Sequence, residues 1–187
     1  MLKSQIRKKI IKIRKEKNNK NIKFSFYKIL KQINIRGKII GGYFPVNFEI
    51  DLLDFFKELE NKGEKICMPV IRKNNQMDFY MWSTKDLLKL NKFGILEPEQ
   101  NKKIIPDIVF VPLVAFDDRL YRIGYGGGYY DRYIEKITKR NFLLKIWKLC
   151  VPHRNRFGDS YGICWLIIAK KFCFKNFAGF GQLCRCY

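Results

Sequence analysis

The chain has 187 residues, 47% of them hydrophobic, which is enough for a single domain with a sizeable core. Its formal charge of +21 invites a nucleic-acid reading, yet that charge sits at the ends: residues 1–40 carry 14 Lys and Arg against one acid, residues 41–140 carry 16 against 15, and residues 141–187 carry 8 against one. No run approaches the roughly 18 apolar residues of a membrane span, and the basic N-terminus lacks the apolar block of a secretory signal, so a reducing, cytoplasmic setting is expected.

Lys outnumbers Arg by 27 to 11, and Ile and Asn are abundant, as an A/T-rich genome also produces. The basic ends therefore do not by themselves mark a nucleic-acid surface.

In chain order, Leu2, Ile6, Ile10 and Ile13 recur at helical spacing, which predicts an amphipathic helix over 2–17. A second helical pattern follows at 24–33. The period then changes: KIIGGYFPV at 38–46 predicts a buried strand ending in a turn, and IDLLDFFKELENKG at 50–63 a helix stopped by Gly63. EKICMPVI at 64–71 predicts a strand ended around Pro69, and MDFYMW at 77–82 another. DLLKL at 86–90 looks helical and is followed by the turn-rich NKFGILEPE. DIVFVPLVAF at 107–116 is the clearest strand, and YYDRYIEKITKR after it a helix. Strand, helix and strand in repeated succession predict an α/β fold in one domain over 1–187, with parallel strand pairs in a central sheet.

Between that last strand and helix lies RLYRIGYGGGYYDRYIE, in which Gly124, Gly126, Gly127 and Gly128 precede a helix start. Glycine admits positive φ and close approach of a ligand, and the first N–H groups of the helix, with its dipole, favour an anion such as phosphate. The loop is neither a P-loop, since no Lys-Ser/Thr follows, nor a dinucleotide fingerprint. A structural tight turn is the competing reading. Arg122 and Arg132 flank the loop. Asp131 suits Mg²⁺ held against phosphate oxygens, or simply a first-turn acid favoured by the dipole. Tyr129 and Tyr130 suit a wall for a flat ring or ordinary core positions. Of six cysteines, Cys67 stands alone and Cys150, Cys164, Cys173, Cys184 and Cys186 fall near the end with His153, without the paired CxxC spacing of a zinc site.

VPLVAFDDRLYRIGYGGGYYDRYIEK resembles the signature of the 5-formyltetrahydrofolate cyclo-ligase (5,10-methenyltetrahydrofolate synthetase) family. Pro112, Ala115, Phe116, Asp117, Arg122, Gly124, Gly126, Gly128, Tyr129, Tyr130, Asp131 and Arg132 fall on its pattern, and Leu120 replaces a customary glycine. KSQIR at 3–7 is similar to the family's Lys-x-x-x-Arg, GGYFPVNFEIDLLDFF to its substrate segment, GEKICMPVI to its next strand and FGILEP at 93–98 to its G-I-x-E-P element. The resemblance covers about residues 1–145.

The resemblance implies a mostly parallel, NagB/RpiA-like doubly wound sheet. It implies ATP contacts at Lys3, Ser4, Gln5, Ile6, Arg7, Arg122, Ile123, Gly124, Tyr125, Gly126, Gly127, Gly128, Tyr129 and Tyr130. Folate contacts are implied at Phe44 and Glu49, and Mg²⁺ at Asp131. The implied reaction phosphorylates the formyl oxygen of 5-formyltetrahydrofolate with ATP. Attack by the neighbouring nitrogen then gives the 5,10-methenyl product, ADP and phosphate, with no protein nucleophile. The expected partners are those two small molecules, with no nucleic acid or membrane and a monomeric chain.

From about residue 146 the tail lacks the family's His-Asp element. Arg154 follows His153, and Asp159 sits in different surroundings. A frameshift would produce such a tail, and so would divergence; loss of that element would remove a strand and a metal ligand. Two alternatives to the enzyme stand: a basic nucleic-acid-binding module using the helices of 1–38, whose binding would be strongly salt-dependent, and a catalytically degenerate relative that binds nucleotide.

Overall fold

A computed structural model of the chain describes residues 2–16, 35–116, 121–139, 143–149 and 166–172. The first helix, α1 (Lys3–Glu16), buries Ile6, Ile10 and Arg14, a spacing of four along one face. The predicted helix at 24–33, Asp117, the five late cysteines, His153 and Asp159 lie outside the described residues.

The central sheet begins with β1 (Ile39–Gly41), followed by α2 (Leu53–Asn61) and β2 (Lys65–Ile71). β1 and β2 run parallel, as a strand-helix-strand unit requires. β2 continues through Pro69 rather than ending there. Its pairing with β1 stops at Cys67, leaving an open edge that tolerates a residue with no N–H. β3 (Met77–Trp82) returns antiparallel to β2, and DLLKL forms not a helix but the start of a hairpin, β4 (Leu88–Leu90) paired with β5 (Leu96–Pro98). The turn decides this: Asn91 Oδ1 accepts from the N–H groups of Phe93 (2.8 Å) and Ile95 (3.1 Å), and Gly94 adopts φ 70°. Glu97, the acid of the G-I-x-E-P element, ties this hairpin to β2 by accepting from Ile71 N at 2.8 Å.

After β6 (Lys103–Ile104), the apolar run at 107–116 becomes β7 (Ile108–Pro112) and the short β8 (Ala115–Phe116), which pairs with β9 (Arg122–Ile123) and leads to α3 (Tyr129–Thr138). β10 (Leu143–Leu149) and β11 (Leu166–Phe172) come from the tail. The order is β10-β11-β7-β1-β2-β3-β6. The centre, β7-β1-β2, is parallel, and the outer ladders are antiparallel. Residues 166–172 of the tail thus add a strand beside β7.

Helices cover both faces, so the central strands read as unbroken apolar runs. On one face Phe55, Phe56 and Leu59 of α2 pack on Ile40, Ile66, Met68, Ile108 and Phe110. On the other, Tyr133 and Ile137 of α3 pack on Cys67, Phe79, Val109 and Val111. α1 lays Ile6 and Ile10 on Val114 and Ala115, just past the end of β7, and so borders the glycine loop. Among the described residues no helix is long and apolar enough to cross a membrane, and no three His, Cys, Asp or Glu side chains cluster for a metal.

Candidate active site

The loop from Gly124 to Gly128 joins β9 to α3 beyond the end of β7. Two of its glycines hold conformations that side chains resist: Gly126 has φ 107°, and Gly128, the residue before α3, has φ 63°. No side chain caps this end of α3, and the first N–H groups of a helix have no intrahelical acceptor. Arginines grip the loop from two helices. Arg7 of α1 donates from Nε to Gly124 O at 2.7 Å, and its Cζ would lie 3.7 Å from a Cβ on Gly126. Arg132 of α3 donates to Gly127 O at 2.6 Å and to Asn75 O at 2.9 Å.

Arg122 is nearly buried and pairs through Nη2 with Asp131 Oδ1, while Asp131 is 41% exposed. Its Nη1 also reaches Pro112 O at 3.4 Å, and its buried Nε has no hydrogen-bond partner. Lys3, Ser4 and Gln5 are exposed on the first turn of α1, and Lys3 lies one turn before Arg7.

A buried carboxylate lies beyond the loop, on the side that Tyr125 faces. After β1 the chain passes Tyr43 and Phe44 and makes a turn in which Asn47 and Phe48 both hold positive φ (47° and 62°). Two consecutive non-glycine residues in that region are costly, and such strain concentrates where a side chain must be aimed. Here the side chain is Glu49, which is 9% exposed. Its Oε2 accepts from Val46 N at 2.9 Å, and its buried Oε1 has no protein partner.

Burial raises the Glu49 carboxyl to about 7. The Val46 N–H, the Tyr125 hydroxyl and the Arg14 guanidinium act in the opposite sense. Tyr130 is partly buried, its enclosed hydroxyl lacks a protein partner, and burial followed by the Glu49 charge pushes its pKa up. Phe44 packs edge-on against Trp82 at 5.6 Å, and the buried Trp82 Nε1 is also unpaired. The unpaired Glu49 Oε1 and Tyr130 hydroxyl are left for a polar ligand to satisfy. Tyr129 faces the loop instead: Phe93 meets its ring at 6.2 Å, the Arg132 guanidinium lies 5.2 Å from its centre, and its hydroxyl donates to Asn75 Oδ1 at 3.4 Å.

A glycine loop and a buried carboxylate side by side suit many small-molecule enzymes, so the comparisons decide the family. The family model described as the 5-formyltetrahydrofolate cyclo-ligase family matches residues 1–148. The chain belongs to this family. Similar cyclo-ligases include that of Haemophilus influenzae, 32% identical over 115 residues, covering 58% of this chain and 62% of the relative. The probable cyclo-ligase of Schizosaccharomyces pombe is 39% identical over 88 residues, covering 43% of this chain and 41% of the relative. The matched stretch thus spans less than two thirds of these relatives.

Among solved structures, the 5,10-methenyltetrahydrofolate synthetase of Aquifex aeolicus matches with a TM-score of 0.55 and 31% identity over 72% of this chain and 73% of that one. The synthetase of Mycoplasma pneumoniae, at 22% identity and a TM-score of 0.53 over 75% and 81%, supports the fold.

Within this cyclo-ligase family chain, the residues singled out from sequence gather in two groups. Arg7, Arg122, Gly124, Gly126, Gly127, Gly128, Tyr129 and Asp131 surround the loop. Glu49 and Tyr130 interact electrostatically, whereas Phe44 packs on Trp82 in the core beneath α2. Ile6 and Ile123 serve the packing of α1 on the loop's base, and Tyr125 turns toward the Glu49 side, its hydroxyl 3.4 Å from Val46 O.

Four residues around the site escaped the sequence reading. Arg14 had a signal, because it continues the Ile6–Ile10 spacing with a charge where an apolar side chain is expected. Tyr43, Asn75 and Trp82 had none, since their place depends on elements distant in the chain.

Proposed function

We propose that the protein converts 5-formyltetrahydrofolate to 5,10-methenyltetrahydrofolate with ATP, releasing ADP and phosphate. The observation that carries this reading is that residues 124–128, gripped by Arg7 and Arg132, reach the turn of the buried Glu49 through Tyr125. A phosphate-binding loop and a carboxylate for a polar ring are thus joined through one segment.

In this reading the ATP phosphates lie along the loop amides and the start of α3, with Lys3 and Arg7 neutralising their charge. Asp131, with its carboxylate partly exposed at the loop's outer side, would be the residue to hold Mg²⁺. That ion supplies charge neutralisation at the transferred phosphoryl group. Ionised Glu49 accepts from the N–H groups of the folate's pterin edge, and the Tyr130 hydroxyl finds a partner there. Phe44 and Tyr129 bound the rings.

The formyl oxygen takes the γ-phosphoryl group as the bond to ADP breaks. The neighbouring nitrogen's lone pair then forms its bond to the formyl carbon, that nitrogen's proton passes to solvent or to the departing phosphate, and phosphate leaves with the oxygen. The protein's work is positioning and charge stabilisation, so no nucleophile is required. One chain holds every named residue, in keeping with a monomer acting on small molecules.

The test is the rise in near-ultraviolet absorbance of the methenyl product when protein meets 5-formyltetrahydrofolate, ATP and Mg²⁺. Asp131→Ala should lower kcat by about a hundredfold or more. Because the family match ends at residue 148, the competing reading is a degenerate relative that binds nucleotide without turnover. Folded protein that binds ATP calorimetrically and yields no product would favour it.

A further inference from the structure

We propose that Arg14 and Tyr125 form a positioning pair that fixes the Glu49 carboxylate relative to the glycine loop, so that α1 sets both halves of the site. The proposal deepens the folate reading above and rests on it. Arg14 is only 2% exposed, and enclosing a guanidinium is costly unless its donors are used. Its two terminal nitrogens are used: Nη2 donates to Leu113 O (2.7 Å) and Val114 O (2.8 Å), and Nη1 reaches Tyr125 Oη at 3.4 Å. Leu113 and Val114 link β7 to β8, so the guanidinium clamps the strand end from which the loop hangs.

The chain of contacts continues. Tyr125 Oη lies 3.4 Å from Val46 O, and Val46 N donates to Glu49 Oε2 at 2.9 Å. On the same helix, two turns earlier, Arg7 holds Gly124 O. Adjacent loop residues are thus held by two side chains of α1, one toward the nucleotide side and one toward the carboxylate. A pin needed only for folding would not require its guanidinium to reach Tyr125 and, through it, the turn that strains Asn47 and Phe48 to aim Glu49.

The groups that face Glu49 come from four places: Arg14 of α1, Tyr43 after β1, Tyr125 of the loop and Tyr130 of α3. Burial raises the three tyrosines, so they stay neutral at physiological pH. Arg14 is then the cation of the set, and with the Tyr125 hydroxyl it favours the ionised carboxylate that a pterin would need.

Tyr125→Phe removes one oxygen and keeps the ring. Its effect is first read without substrate, as the titration of the Glu49 carboxyl by carbon NMR, assigned with Glu49→Gln. The midpoint should lie above that of the parent protein. In turnover, the KM for 5-formyltetrahydrofolate should rise about tenfold, the KM for ATP by a smaller factor, and the acid limb of the folate KM should move up with the NMR midpoint. Arg14→Gln, checked for folding by thermal melting, should move the titration the same way; if it does not fold, Tyr125→Phe decides alone. An unchanged Glu49 titration in Tyr125→Phe, or equal rises in both KM values, would overturn the pair. Should the parent protein fail to turn over folate, the functional reading falls while the NMR titration still decides the positioning.

Discussion

A carboxylate enclosed as Glu49 is works against the fold until a ligand pairs with it. Its folded-state value of about 7 exceeds the ordinary 4.5, so the fold favours the protonated form. The stability it contributes is present at acid pH and is lost as pH rises from 4.5 to about 7. Glu49→Gln should therefore raise the thermal midpoint at pH 8 by a few degrees, corresponding to about 1–3 kcal/mol, and change it little at pH 5. The same variant should raise the folate KM by at least about tenfold. In the parent protein that KM should climb as pH falls below about 7, as the acceptor takes a proton. Melting curves at two pH values and a KM profile check both halves. The expectation that Glu49 contacts folate came only through the family's segment, whereas its burial and raised pKa come from groups of α1, the loop and α3 that sequence spacing does not place beside it.

The glycine loop and the anchoring of α3 belong to the scale of elements. Gly126→Ala forces an L side chain to φ 107°, at a cost of about 1–2 kcal/mol, which should appear as a roughly tenfold rise in ATP KM with the fold retained. A fluorescent nucleotide titration beside a circular dichroism spectrum would read both. α3 is tied to the sheet by Asp78 of β3, nearly buried, which accepts from Lys103 of β6 at 2.6 Å and Lys136 of α3 at 3.1 Å. The carboxyl is held below its ordinary 3.8 by these lysines against the pull of burial. Its stabilisation is present above that ordinary value and is lost as pH falls through the lower folded one. Asp78→Asn should cost about 1 kcal/mol at pH 7, since both lysines remain partly exposed, and markedly less at pH 2–3, by urea denaturation at each pH. Helices α1, α2 and α3 and the strands β2, β3 and β7 were readable from periodicity. DLLKL was misread because three leucines in five residues fit either period, and the Asn91–Gly94 turn, rather than the leucines, chose a hairpin.

For the whole molecule, the tail matters more to architecture than its composition suggests. β11 pairs with β7 and carries β10 beyond it. Deleting residues 150–187 would leave β7, a core strand beside the site, as an open edge. The shortened chain should elute as aggregate in size-exclusion chromatography and lose cooperative urea unfolding. The late cysteines and the missing His-Asp element are plain from composition and motif, but no local pattern tells a chain which central strand a distant segment will pair with.

The amino-acid sequence by itself determined the α/β class, through the alternation of apolar strand runs with amphipathic helices. It also determined the sharp loop before α3, because the positive φ at residues 126 and 128 favours glycine. Only the tertiary structure decided that Arg14 is a buried side chain reaching Tyr125 and that Glu49 is a carboxylate titrating near 7. The physical reason is the same for both. Desolvation and hydrogen bonding depend on atoms brought together from residues 14, 46, 49, 113, 114 and 125, and spacing along a chain carries no information about which distant segments will exclude water from one another.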